Sequence, residues 1–129
     1  MRMHREMIKR YTTHLTSGIG VTEEDPMADL SNFDRDILSM AAEAKRDGNL
    51  DWLRLSLDAL VANPAGRIKL FADYVYPFSE EELRRLFAYA FLKIWPDDEI
   101  SVLGSEADLK FVAMTDEEWA DIVDPEDMF

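Results

Sequence analysis

Residues 79–96, SEEELRRLFAYAFLKIWP, combine a helix-capping sequence with a long amphipathic stretch. Ser79 and Glu82 have the spacing of a capping box, in which each side chain accepts a hydrogen bond from the backbone N–H of the other residue. Apolar side chains then follow at i, i+3, i+4, i+7, i+8 and i+11: Leu83, Leu86, Phe87, Ala90, Phe91 and Ile94. This spacing places them on one face of a helix that ends before Pro96. The stretch therefore predicts a central helix over residues 79–95.

The rest of the chain predicts further short helices around the central one. Residues 2–15 have helical apolar spacing, and Asn32 is a candidate cap for a helix over residues 33–47. The other helical segments run from Asn49 or Asp51 to about Ala62, between Pro64 and Pro77, and over residues 115–123, where Thr115 and Glu118 form a second capping box.

The helical period stops after Pro96. Residues 99–103 and 109–114 are short and partly β-branched or aromatic, and GSEAD separates them at residues 104–108. This pattern predicts a small β-hairpin over about residues 99–114. The predicted fold class is therefore α+β and mostly α, with about five or six short helices around the helix at 79–95 and one hairpin.

Length and composition indicate one main domain. The chain has 129 residues, and 47% of them are apolar, which is enough for a core despite a net charge of −13. Residues 1–22 predict a basic amphipathic helix or arm, and residues 23–129 predict a single compact acidic domain. Met27 lies in a predicted loop at 17–31 and is a candidate alternative start, in which case the arm is dispensable to the fold.

Several classes of protein are disfavoured by what the chain lacks. There is no cysteine, which excludes disulfides, thiolate nucleophiles and cysteine-ligated metals. The longest apolar run, residues 86–92, is far shorter than the roughly 20 residues of a membrane-spanning helix. No apolar segment follows the basic N-terminus as it does in a signal peptide. We expect a cytoplasmic protein that has no membrane contact.

The sequence contains no convincing catalytic or metal-binding motif. His4 and His14 point about 80° apart on one predicted helix, so they are not an i, i+4 metal pair, and we expect both to be exposed. Residues 47–58 have part of the spacing of a calcium loop, but Trp52 stands where a glycine is needed. Phosphate-binding loops and nucleophile elbows are absent. We expect no enzyme activity, no cofactor and no metal.

The charge is distributed unevenly along the chain. Residues 97–129 contain 12 of the 27 acidic side chains and one basic residue, Lys110, whereas the first 22 residues carry a net charge of +3. Glu117, Asp121 and Asp124 are spaced to share one side of the last helix. The candidate partner-binding residues are Asp97, Asp98, Glu99, Glu106, Asp108, Asp116, Glu117, Glu118, Asp121 and Asp124.

This charge distribution leads to a hypothesis about function. In size and charge alone the chain resembles the small acidic proteins with which phages and mobile elements inhibit host nucleases, among them DNA-mimic antirestriction and anti-CRISPR inhibitors. The resemblance implies a non-enzymatic decoy that binds a basic, nucleic-acid-handling host protein and does not bind nucleic acid itself. The N-terminal helix is also a candidate homodimer contact.

Other interpretations of the same residues stay open. The acidic segment is also what a well-solvated face of a small protein looks like. An aromatic surface at Tyr74, Tyr76 and Phe78 would suit a regulator, adaptor or immunity-type protein that binds an apolar partner, although small cores use such residues routinely. A small enzyme of unknown class would need a pocket with converging polar groups.

Overall fold

The computed structural model describes residues 2–63, 67–72, 76–100 and 109–123. Over these residues the fold is α+β and mostly α, as predicted. Its α-helices are α1 (Arg5–Thr16), α2 (Asp34–Arg46), α3 (Leu50–Ala62), α4 (Glu80–Ile94) and α5 (Asp116–Val123). Short 3₁₀ helices cover Gly20–Thr22, Pro26–Ala28, Leu30–Phe33 and Arg67–Phe71, and the two strands are β1 (Arg2–His4) and β2 (Lys110–Val112).

Helix α4 is the predicted central helix. The Ser79 hydroxyl accepts from the Glu82 N–H at 3.1 Å, and the Glu82 carboxylate accepts from the Ser79 N–H at 2.9 Å, so both bonds of the capping box are present. The apolar face of the helix is buried at Leu83, Leu86, Phe87, Ala90 and Phe91. Helix α4 packs against α3 and α2, and α1 packs against α2, so the four longest helices share one core.

The two strands pair in parallel, a pairing that the predicted hairpin does not include. Strand β2 falls inside the predicted strand at 109–114, but its partner is β1, with Met3 opposite Phe111. Residues 99–100 have no regular structure, and the remainder of the proposed hairpin, residues 101–108, lies outside the described residues. Paired residues of parallel strands project on the same side of a sheet, so Met3 and Phe111 both pack against the core. Alternation within residues 99–114 carried no information about this distant partner.

The N-terminal segment is part of the core. Met3, Met7, Ile8, Tyr11 and Leu15 are all buried. The Tyr11 hydroxyl donates to the Asp47 carboxylate at 2.9 Å and accepts from the Asn49 amide at 2.8 Å, so α1 is joined to the turn between α2 and α3. These contacts favour the opposite of the expectation that the arm is dispensable to the fold.

Two local features differ from the sequence predictions. Asn32 does not cap α2, because Leu30–Phe33 form a 3₁₀ helix that leads directly into it, and the Asn32 amide donates to the Pro26 carbonyl at 3.3 Å instead. The described part of the segment between Pro64 and Pro77 contains the 3₁₀ helix Arg67–Phe71 rather than an α-helix. Among the described residues, none of the helices has both the length and the apolar character that crossing a bilayer requires.

Candidate partner-binding face

Helix α5 carries the largest group of described candidate carboxylates. Its start is fixed by the second predicted capping box: Thr115 and Glu118 exchange two hydrogen bonds of 3.1 Å. An isolated helix of eight residues is unstable in water, so α5 depends on contacts with the rest of the protein.

Trp119 anchors α5 to the core. Its side chain is 6% exposed, and its ring packs edge-on against Trp52 of α3 with centroids 5.3 Å apart. The His4 ring packs edge-on against the Trp119 ring, with centroids 6.3 Å apart. These contacts hold the inner face of α5 in place, which leaves its outer face with a defined orientation.

His4 connects β1, α1 and α5, and the prediction that it is exposed is wrong. Its side chain is 2% exposed. Nδ1 accepts the Met7 N–H at 3.3 Å and so caps α1, while Nε2 lies 2.8 Å from a carboxylate oxygen of Asp116. Because Nδ1 is the acceptor, Nε2 carries the proton and donates to Asp116. Neither the cap nor the Asp116 contact was visible from helical spacing alone.

The outer face of α5 presents Glu117 and Asp121 to solvent. Both are exposed, and each points about 160° away from Trp119 around the helix. In the described part of the chain neither carboxylate forms an ion pair. Asp116 is also largely exposed but accepts a hydrogen bond from His4, and Glu118 is occupied in the capping box.

The second acidic group follows α4. Asp97 and Glu99 are exposed and have no ion pair among the described residues. Asp98 differs, because Nε of Arg54 lies 2.8 Å from its carboxylate. The Arg54 guanidinium also lies over the Phe91 ring, 5.5 Å from its centroid. The charge of Asp98 is therefore compensated inside the molecule.

Helix α3 lies between the two acidic groups. Its Trp52 contacts α5, whereas its Arg54 contacts Asp98. These two positions are about 160° apart around a helix, so the acidic groups flank opposite sides of α3. Asp51, which is exposed, lies on the α3 surface between them. The described carboxylates thus form two groups beside α3 rather than one row.

Other predicted site residues are buried or lie outside the described part of the chain. Glu106, Asp108, Asp124 and Tyr74 are outside it. Phe78 is buried in the core against Phe33, and Tyr76 packs edge-on against Phe78 with centroids 4.7 Å apart. Among the described residues of this aromatic trio, Tyr76 alone is partly exposed to solvent.

A cleft of about 280 Å³ between α1 and α2 contains His14 and Glu43. His14 Nε2 lies 3.3 Å from Glu43 Oε2, and Arg46 approaches the same carboxylate at 3.8 Å, so Glu43 is shared between two cationic partners when His14 is protonated.

Within the described ranges, no group of three or more His, Asp or Glu side chains is arranged to hold a metal ion.

The chain was also compared with known proteins. No protein-family model, no curated protein and no solved structure matches it.

Proposed function

We propose that the protein is a non-enzymatic binding protein whose acidic C-terminal third contacts the basic surface of a nucleic-acid-handling protein, as DNA-mimic inhibitors do. The observation that carries this proposal is the position of Glu117 and Asp121. Both carboxylates are exposed and uncompensated among the described residues, on a helix whose opposite face is fixed by Trp119.

Fixed carboxylates are better suited to such binding than a flexible acidic tail. Duplex DNA carries one negative charge per roughly 1.7 Å of its axis, and a protein groove that binds it positions cations against that row. Carboxylates that are already held in place lose less conformational entropy on binding to the same groove. Complementary charge also accelerates association and makes it dependent on salt.

Contacts within the protein narrow the proposed contact. Arg54 compensates the charge of Asp98, so this carboxylate contributes less to the external field, and Asp116 is already engaged as the acceptor of the His4 N–H. Among the described candidates, the proposed contact therefore centres on Glu117 and Asp121 of α5, and Asp97 and Glu99 form a second group on the other side of α3.

The test compares two variants with the same net charge. Glu117→Lys/Asp121→Lys reverses the α5 face, and Glu23→Lys/Glu24→Lys reverses two exposed carboxylates in a loop far from it in sequence. Each variant replaces two negative charges by two positive ones, so both change the net charge of −13 by +4. Each protein is immobilised and used to capture proteins from a bacterial lysate at low and high salt.

The expected result is a protein that wild type and Glu23→Lys/Glu24→Lys retain at low salt and that Glu117→Lys/Asp121→Lys does not. With that protein purified, duplex DNA should compete with wild type for it, and affinity should fall as salt increases. Equal retention by both variants, equal loss in both, or no competition by DNA would contradict the proposal.

A further inference from the structure

A cleft of about 380 Å³ lies between α1 and the 3₁₀ helix Arg67–Phe71, and none of the candidate partner-binding carboxylates lines it. Its lining residues are Arg5, Glu6, Lys9, Lys69, Leu70 and Ala72. Three of the 14 Lys and Arg side chains of this acidic protein therefore line one cleft.

The single carboxylate among these lining residues is already used within the protein. One oxygen of Glu6 accepts from Nε of Arg5 at 2.9 Å, and the other accepts the Met114 N–H at 3.3 Å. The bond through Nε orients the Arg5 guanidinium and leaves its two terminal nitrogens without a partner among the described residues. Lys9 and Lys69 form no ion pair there either, so the lining residues carry a net charge of +2.

This arrangement of cations does not stabilise the protein. Arg5 and Lys9 are at i, i+4 on α1, where like charges repel, and Lys69 adds a third positive charge from the facing 3₁₀ helix. An anion bound among them would remove that repulsion. An arginine held through Nε can donate both terminal N–H groups to one phosphate, and lysines bind phosphate as point charges.

The cleft also has an apolar side. Leu70 is 49% exposed, and Ala72 lies beside it among the lining residues. The volume falls within the range of small-molecule sites, which combine apolar walls with a few polar groups. A ligand with a phosphate group at one end and an apolar or aromatic part at the other would use both sides of the cleft.

We propose that this cleft binds a small organic phosphate, with the phosphate among Arg5, Lys9 and Lys69 and the organic part against Leu70. The proposal uses none of the residues of the acidic face and does not depend on the function proposed for that face. A net charge of −13 repels anions in general, so saturable binding of an anion would report a local site.

The probes are pyrophosphate and adenosine diphosphate, titrated into the full chain by calorimetry. The cleft variant is Lys9→Gln/Lys69→Gln. Its matched control is Arg35→Gln/Lys45→Gln, which removes two exposed cations on α2 that have no ion pair among the described residues. Both variants lower the net charge equally. Urea unfolding verifies that each is folded.

We expect the α2 control to bind each probe as tightly as wild type does. The cleft variant should bind each probe about tenfold more weakly or worse. Adenosine diphosphate should bind more tightly than pyrophosphate, and Leu70→Ser should remove that difference. On wild type, amide chemical-shift changes should be concentrated at residues 5–9 and 67–72. The proposal would be overturned by a lack of saturable binding, by equal weakening in both variants, or by chemical-shift changes concentrated elsewhere. If pyrophosphate bound at least as tightly as adenosine diphosphate, the proposed contact between the organic part of the ligand and Leu70 would be overturned.

Discussion

His4 Nε2 and Asp116 Oδ1 lie 2.8 Å apart although 112 positions separate the two residues in sequence. The histidine is buried, whereas 80% of the Asp116 side chain is exposed. The two partners therefore contribute unequally to stability. The histidine also caps α1 and packs on Trp119, and the aspartate has the character of a surface group.

His4→Ala should lower the free energy of unfolding by about 2–4 kcal/mol, because it removes a helix cap and leaves a cavity beside Trp119. Asp116→Asn should lower it by less than about 1 kcal/mol, since polar contacts to a largely exposed carboxylate contribute little. His4→Asn should recover part of the loss, because asparagine is a good helix cap. Urea unfolding followed by tryptophan fluorescence measures all three. Equal losses in His4→Ala and Asp116→Asn would show that the hydrogen bond between the two residues, rather than the cap and packing, dominates.

Tyr89 should ionise at unusually high pH. Its hydroxyl donates to the Asp34 carboxylate at 2.6 Å, and this bond, with burial and the charges of Asp34 and Asp29, raises the pKa of Tyr89 to about 12. The unfolded chain loses this proton near pH 10. The contribution of the group to stability is therefore complete below about pH 10 and is lost as the pH rises to about 12.

The difference between the phenolate absorbance titrations of wild type and Tyr89→Phe isolates this residue from the other tyrosines. The difference should have its midpoint well above pH 10. The variant should also show a weaker loss of stability between pH 10 and 12 than wild type. A difference titration centred near the ordinary value for tyrosine would contradict the hydrogen bond to Asp34.

Asp36 should be the carboxylate whose removal is most damaging to the loop after α1. It is buried, and its two oxygens accept the N–H groups of Ile19 at 3.0 Å and Gly20 at 2.8 Å. Asp36→Ala leaves two backbone donors without a partner and should cost about 2–4 kcal/mol in unfolding free energy. Asp51→Ala, which removes an exposed carboxylate, is the control and should cost far less. Thermal and urea unfolding measure both, and similar losses would argue against the role given to Asp36.

A chain that starts at Met27 should not fold. It lacks β1 and α1, and with them the buried side chains Met3, Met7, Ile8, Tyr11 and Leu15. Each such side chain contributes about 1.5–3 kcal/mol by burial, and together they approach or exceed the total stability of about 5–15 kcal/mol that is typical of a domain. Circular dichroism and amide proton dispersion test this. Cooperative unfolding of residues 27–129 alone would show that the N-terminal segment is dispensable.

Structure that depends on near neighbours was predictable from the sequence. The two capping boxes, Ser79 with Glu82 and Thr115 with Glu118, each involve residues three positions apart, and both form as expected. The buried face of α4 follows directly from the spacing of its apolar residues. In each case the interaction that defines the element is contained within it, so no information about distant residues is required.

Structure that depends on distant partners was not predictable in this way. The burial of His4 and the pairing of β1 with β2 arise from contacts across most of the chain. The same limit applies to the candidate acidic face. Counting carboxylates treats Asp98 and Glu117 alike, but Arg54 compensates only Asp98, and that arginine is 44 positions away. Charge content could be read from the sequence, whereas charge that is free to act on another molecule could not.

The parallel pairing of Arg2–His4 with Lys110–Val112 has a consequence for synthesis in the cell. The first strand emerges from the ribosome before helices α1 to α4, and its partner emerges after them. Until then the nascent chain cannot close this contact, whatever helices have already formed along it. The sheet therefore forms only after the four α-helices between its two strands have been synthesised.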